Sequence, residues 1–399
     1  MGLMDPVSEL EDVIRTLAAI ENRGSATPGE RTAAYWLSDR FAEHGCESCV
    51  EEVPAHGTYW WPMGIGTGMG LLAGIASLAG RRWIALLGGL ASAASIADDV
   101  SSGPRFLRKR VLPKGTCWNA IARTGDGDAD RIVVVMAHHD APHTGRIFDQ
   151  SLQIWFADKY PRIFARIRTA PPLYWPVLAG PILVVLGSIL KRKWLSAVGT
   201  LVSAVTTGIF ADVGRSPVNQ GANDNLSGVA GLVWLARALK EKPVKGVKVI
   251  IASCGSEESF QEGIAGFLSN YQDELGRGET FFINLETVGS PELLLLEGEG
   301  PIVMRDYEEN FKDLVEGVAS AEEIRLTRGM RARTTTDSLI TSRAGYPTAT
   351  FTSINEYKAL SNYHMMSDTP DNLDWGTVES AARLAEAVVR RLAEQTSSV

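Results

Sequence analysis

Hydrophobic residues in this chain follow three patterns. The first is a set of short runs at 47–53, 116–123, 131–137, 247–253, 280–285, 293–297 and 348–353, several of them near-continuous in Val, Ile, Leu or Phe. Runs of this kind predict strands, and the near-continuous ones predict strands covered on both faces. The second is helical spacing, with apolar positions three and four apart, over 28–44, 226–242, 261–271, 306–318 and 376–393, and at Leu10, Val13, Ile14, Leu17 and Ile20. Strand-like and helical stretches alternate, which predicts one three-layer α/β/α domain around a mixed, mostly parallel sheet.

The third pattern interrupts that alternation twice. Residues 58–100 read as an aromatic cluster (Tyr59, Trp60, Trp61), an apolar run, the basic pair Arg81 and Arg82, Trp83, a second apolar run, then Asp98 and Asp99. Residues 171–213 repeat the order with Tyr174 and Trp175, an apolar stretch to Leu190, the basic turn Lys191, Arg192 and Lys193, Trp194, another apolar stretch and Asp212. Each predicts a helical hairpin. The chain then divides into a main domain (1–57, 101–170 and 214–399) and two inserted hairpins. Apolar helices of about twenty residues cross a bilayer, and tryptophans beside basic residues mark its interfaces, so a lipid bilayer is expected as a partner. The run from Trp83 to Ala97 is short for a crossing, and the competing reading is a soluble apolar cap or a bundle through which the chain forms a homo-oligomer. Basic residues are more numerous on the flanks beside the main domain (Arg105, Arg108, Lys109, Arg110, Lys114, Lys159, Arg162, Arg166, Arg168, Arg215) than at the hairpin turns. That asymmetry predicts a multi-pass membrane protein with its main domain in the cytoplasm.

Composition acts mainly by exclusion. The 399 residues, 45% hydrophobic and 22% charged, suffice for a large core, and the net charge of -8 argues against nucleic acid, whose recognition needs a basic surface. Of the four cysteines, Cys46 and Cys49 have a C-x-x-C spacing but no second pair or nearby histidine, so buried, reduced thiols are expected at Cys46, Cys49, Cys117 and Cys254. The start of the chain lacks the basic-then-apolar order of a secretory signal, and after Met1-Gly2 position 6 is Pro6 rather than the Ser or Thr of a myristoylation signal.

Acidic and histidine residues directly follow the expected strands: His138 and Asp140 after RIVVVMA, Glu257 and Glu258 after VKVIIASCGS, Glu286 after TFFINL. In open α/β sheets, sites form beyond the carboxyl ends of strands, so these groups should converge on one crevice. Hydrolysing an amide requires a polarised carbonyl, a nucleophile made from water and a proton for the leaving amine. Zinc accepts neutral imidazole and carboxylate. Two zinc ions can be held by His138, Asp224, Glu258, Glu286 and His364 if one carboxylate bridges them, which leaves Glu257 free as a base. Asp140 is placed to fix the tautomer of His138 through its second ring nitrogen. His44, His56, His139 and His143 fit no ligand pattern, and neither Ser227 nor Ser256 lies in a nucleophile elbow.

The stretches AHHDAP, GANDNLSG, CGSEES, FFINLETVGS and NYHMMSDTPDNLD, in that order, resemble the di-zinc aminopeptidase family, which includes secreted bacterial aminopeptidases and glutamate carboxypeptidases. The resemblance covers nearly the whole chain outside the two insertions. It implies a zinc-exopeptidase fold in which Asp224 bridges two zinc ions, His138 and Glu286 complete one site, and Glu258 and His364 complete the other. It further implies Glu257 as general base and the Tyr363 hydroxyl as a donor to the tetrahedral oxyanion. The activity implied is removal of N-terminal residues from a peptide or another amide substrate. Carboxypeptidase and glutaminyl-cyclase chemistry are relatives, and a non-catalytic membrane receptor or scaffold is the alternative from another class. Two departures stand out. The family most often has Asp where this chain has Glu286, and the second insertion separates His138 from Asp224, which puts a hydrophobic hairpin beside the site.

Overall fold

Seven strands form where the apolar runs predict them, within a few residues: β1 (Glu47–Ala55), β2 (Gly115–Gly125), β3 (Ile132–His138), β4 (Lys248–Cys254), β5 (Thr280–Leu285), β6 (Glu292–Leu295) and β7 (Thr348–Ile354). The structure, a computed structural model, describes residues 6–396, so the Met1-Gly2 reading lies outside the described residues. The strands make one sheet in the order β1-β2-β4-β3-β5-β7-β6. Pairing is parallel from β4 through β3 and β5 to β7, and antiparallel at β1/β2, β2/β4 and β7/β6. The sheet is therefore mixed, with β1, β3, β4, β5 and β7 running in one direction and β2 and β6 in the other, as expected of a mostly parallel sheet. The first insertion leaves and rejoins the sheet at the same end, so β2 runs back along β1, whereas a parallel neighbour needs a crossover to the opposite end.

The helices are α1 (Pro6–Ala18) and α2 (Pro28–Glu43), then α3 (Trp60–Leu78) and α4 (Arg82–Val100) in the first insertion. Short α5 (Phe106–Val111), α6 (Ser151–Lys159) and α7 (Pro161–Phe164) precede α8 (Trp175–Leu190) and α9 (Lys193–Val213) in the second. The remainder are α10 (Ser227–Glu241), α11 (Glu262–Tyr271), α12 (Glu309–Ala321), α13 (Asp337–Arg343) and α14 (Trp375–Thr396). Thr27 caps α2, its hydroxyl accepting from the Glu30 N–H at 3.3 Å, with Pro28 at the first helical position. Side chains alternate across β3: Val133 and Val135 join the core shared with α1, α2, α10, α12 and α14, while Val134 and Met136 pack with Phe267 of α11 and Ile340 of α13. Both faces of the sheet are thus covered, which is why β3 carries no polar residue before His138. Cys46 is buried as expected, but Cys49 is exposed, because β1 is an edge strand that turns Glu47 and Cys49 to solvent.

The two insertions pack together as one four-helix bundle, with α3 between α4 and α9 and α8 between α9 and α4. Its interior is rich in small and hydroxyl-bearing residues, with a few larger apolar ones such as Met63, Ile96 and Val184 among them. The Ser77 hydroxyl lies 3.0 Å from that of Ser188 and 2.7 Å from that of Ser196, and Thr207 donates to Thr67 at 3.0 Å. Large apolar side chains face outward, Trp83 at 70% and Leu201 at 65% exposure among them. A bundle that folds in water has the reverse distribution, whereas small interior residues and an apolar exterior are the pattern of helices packed in lipid. By length and composition α3, α4 and α9 suffice to cross a membrane. The short member is α8, with 16 residues, not the helix containing Trp83. α4 extends to 19 residues by taking in Arg82 and the stretch through Val100, while α8 is closed by Lys191 in the left-handed conformation, φ 57°.

This packing can be tested within one helix. A Cβ at Gly74 would lie 2.1 Å from the Thr200 hydroxyl oxygen and 3.1 Å from its Cα, whereas a Cβ at Gly68 meets nothing within 4 Å. Gly74→Leu is expected to destabilise the detergent-purified protein by about 1–3 kcal/mol, seen as a lower thermal midpoint, with Gly68→Leu near wild type. Equal midpoints for the two variants would contradict the bundle.

Candidate metal centre

The carboxyl ends of three parallel strands converge. His138 is the last residue of β3, the loop leaving β4 carries Glu257 and Glu258, and Glu286 directly follows β5. Asp224 enters from the turn Ala222–Leu226 ahead of α10, and His364 from the loop beyond β7. Asn225 fastens that turn to the sheet: its amide donates to the Leu285 carbonyl at 2.8 Å and its oxygen accepts from the Thr287 N–H at 2.9 Å. The Asp224–Asn225 peptide is cis.

Asp224 stands between two groups of ligand-type atoms. Its Oδ1 is 3.3 Å from His138 Nε2, which is 3.4 Å from Glu286 Oε1. Its Oδ2 is 3.3 Å from His364 Nε2, which is 3.4 Å from Glu258 Oε2. Both triads have the donor set and compactness of a metal site. These separations fit zinc: bonds of about 2.0–2.1 Å in tetrahedral array place neighbouring ligand atoms roughly 3.4 Å apart. The atoms concerned are also unspent, since His138 Nε2 and Asp224 Oδ2 are buried without a hydrogen-bond partner among the described residues. The extra methylene of Glu286 does not remove it from the cluster. Asn284 steadies it, donating to its Oε2 at 3.2 Å.

Charge points the same way. Burial pushes the Glu257 carboxyl well above the ordinary carboxylate range, with the charges of Glu286 and Glu258 adding to it. Burial, and then Asp224, push Glu258 up to about 7. Burial likewise raises Asp337 to about 8 and Asp368 to about 7. Against burial, Glu258 and Asp224 hold the His364 imidazole up at about 9. An excess of buried acidic groups around two imidazoles is strongly unfavourable by itself and is neutralised by divalent cations.

Residues around the ligands set their directions. His138 Nδ1 is 3.1 Å from the Asp140 carbonyl oxygen and 3.4 Å from its carboxylate. Asp140 therefore does orient His138, but chiefly through its main chain. Its carboxylate accepts from the N–H groups of Glu257 and Glu258 at 3.0 and 3.1 Å and from the Ser25 hydroxyl at 2.6 Å. Tyr363 stacks on His364 with ring centroids 3.9 Å apart. Burial and the neighbouring Asp224 and Glu258 charges keep its hydroxyl protonated, hence a donor.

The other histidines are structural. His139 bonds the Ser253 hydroxyl at 2.9 Å, His143 the Ser216 carbonyl at 2.7 Å, His44 pairs with Glu9 at 3.0 Å and His56 with Glu262 at 2.8 Å. The feet of the inserted hairpins close over the loop of Glu257: Tyr59, Tyr174, Phe148 and Phe260 share one apolar cluster, and Phe148 lies 4.3 Å from His364.

One orienting residue escapes the sequence reading although it stands four positions after His364. Asp368 accepts from the N–H groups of Asn223 at 2.7 Å and Asp224 at 3.1 Å. Asp368→Asn would turn an N–H toward one of those donors. It is expected to weaken metal binding about 10–100-fold, measured by competition with a chromophoric chelator; unchanged affinity would contradict this role.

Residues 205–389, which include every ligand except His138, match peptidase family M28. This stretch of the chain is similar to the peptidase M28 domain. That places it among metal-dependent peptidases and related zinc enzymes. No curated protein matches the chain. Among solved structures, it is similar to an aminopeptidase from Aneurinibacillus sp. strain AM-1, at 15% identity over 97% of this chain and 94% of that one, TM-score 0.56. A zinc aminopeptidase from Bacillus subtilis is 14% identical over 98% of this chain and 96% of that one, TM-score 0.55. A glutaminyl cyclase from Tannerella forsythia is 12% identical over 96% of this chain and 98% of that one, also with TM-score 0.55. At such identities the likeness shows the α/β zinc-exopeptidase fold alone.

Proposed function

We propose that this protein is a membrane-embedded aminopeptidase that uses two zinc ions to remove N-terminal residues from peptides. The observation that carries the reading is Asp224, shared by two triads of zinc-type ligands, with the additional carboxylate of Glu257 beside them. When bound, the two ions would polarise the scissile carbonyl and lower the pKa of water. Glu257 takes the proton from the attacking water and delivers it to the leaving amine. Tyr363 donates its hydroxyl proton in a hydrogen bond to the oxyanion. The substrate's free ammonium group is held by the surplus carboxylates of the site, which is what selects a chain end over an internal bond.

The membrane setting rests on the inverted bundle and on its approaches. Beside the bundle, α5 to α7 expose Phe106, Leu152, Trp155 and Ile163 among Lys109, Arg110, Lys159 and Arg162, a mixture suited to an anionic lipid surface. Of the basic residues on the main-domain side, Arg105 and Arg108 are buried and partnered; the eight others are exposed, against Arg81, Arg82, Lys191, Arg192 and Lys193 at the turns. The larger set marks the cytoplasmic side. With a hairpin foot on each side of the catalytic loop, substrates are expected to be apolar peptides or chain ends close to the bilayer.

The test is turnover by detergent-purified protein of aminoacyl amides, their N-acetylated forms and peptides beginning with glutamine. Chelator-sensitive cleavage confined to free amines is the expected result. Cyclisation of N-terminal glutamine without peptide cleavage would replace the reading with cyclase chemistry, and no turnover by zinc-loaded protein would favour a receptor or scaffold.

A further inference from the structure

The loop that carries Glu257 is gripped by the segment that leaves the first inserted hairpin. Ser256, Phe260 and Gln261 all adopt left-handed backbone, with φ of 54°, 71° and 58°, a conformation that costs non-glycine residues energy and persists only where surroundings enforce it. Ser256 is held by its hydroxyl bond to Glu30, and contacts at Ser259, Phe260 and Gln261 come from residues 99–108. Arg108, fully buried, forms a two-pronged pair with Asp99 at 2.9 and 2.8 Å and donates to the Ser259 carbonyl at 2.7 Å. Arg105 donates to the Phe260 carbonyl and, at 3.0 Å, to the Ser102 hydroxyl. On the other side of the hairpin, the main-chain N–H groups of His56 and Gly57 donate to Glu262 at 2.9 and 3.1 Å.

Within that grip runs one directed chain of hydrogen bonds. Ser102 donates to Gln261 Oε1 at 3.2 Å, and Gln261 Nε2 donates to Glu257 Oε1 at 2.7 Å and to the Thr335 hydroxyl at 2.9 Å. Gln261 is 1% exposed, so water does not compete for these bonds. We propose that Gln261 is a positioning residue for Glu257, itself held by Ser102 at the exit of the first hairpin. The inference rests on Glu257 as the base. A donor on Oε1 fixes the rotation of the carboxylate and leaves Oε2 as the oxygen that receives the proton. The same connection makes the base's alignment depend on how the hairpin is seated.

Q261M, which keeps the volume and removes the donor, is expected to lower kcat about 10–100-fold, as for loss of one charge-assisted hydrogen bond, with KM within about twofold and zinc content unchanged. S102A is expected to lower kcat by a smaller factor, and the double variant S102A/Q261M to be no slower than Q261M alone. In the E257Q background neither substitution should reduce the residual rate further. Wild-type kcat in both Q261M and S102A, or equal losses with and without Glu257, would overturn the proposal. Should Q261M fail to retain zinc, S102A decides alone, an unchanged kcat overturning the proposal and a reduced kcat seen only when Glu257 is present upholding it. E257Q turning over at the wild-type rate would instead remove Glu257 as the base, a separate failure visible before Gln261 is touched.

Discussion

Glu257→Gln is expected to lower kcat by about 10²–10⁴-fold, the range for loss of a positioned general base, while zinc content and KM remain near wild type. The substitution is nearly isosteric and leaves both metal triads intact, since each consists of one histidine and two other carboxylates drawn from Asp224, Glu258 and Glu286. The Glu257 main chain stays fixed by its bond to Asp140, and its side chain remains within reach of Gln261. What is lost is the ability to accept a proton and return it to the leaving amine. The measurement is steady-state hydrolysis of an aminoacyl amide alongside metal analysis. Loss of zinc together with activity would make Glu257 a ligand instead.

Asp224→Ala is expected to abolish both zinc retention and turnover. Every other ligand serves one triad, but Asp224 faces His138 with one oxygen and His364 with the other. Its removal leaves each triad with two ligands, too few to hold zinc against a chelator. Glu286→Ala or Glu258→Ala should by contrast each disturb one triad. Metal content after dialysis distinguishes these cases: near zero for Asp224→Ala, and a residue of tightly held zinc for the other two. Equal loss in all three would show that Asp224 is not shared.

Part of this centre is legible in the sequence because His138, Glu257, Glu258 and Glu286 follow strand ends, whereas Asp224 and His364 come from a turn and a loop and are legible only through the motif resemblance. β3 is uniformly apolar up to His138, and the end of β5 at Leu285 directly precedes Glu286, so the strand pattern itself points to the crevice. The hairpins are legible from aromatic and basic residues that recur in the same order. What escaped depends on atoms, not residue types. The sequence points to the Asp140 carboxylate as the group that holds His138, but its carbonyl lies closer and the carboxylate serves the Glu257 and Glu258 amides. Asp368 and Gln261 act through main-chain groups or another side chain, and no spacing rule reveals such partners. The helices α5, α6, α7 and α13 are too short for a helical stripe to rise above chance.

The central claim, two zinc ions in one catalytic centre joined by Asp224, is tested most directly by titrating zinc into chelator-stripped protein while following hydrolysis of a free-amine amide. Activity that rises to its plateau at two zinc ions per chain is the predicted result. A full plateau at one ion, with the second equivalent unbound, would contradict the shared centre and favour single-zinc chemistry of the glutaminyl-cyclase kind.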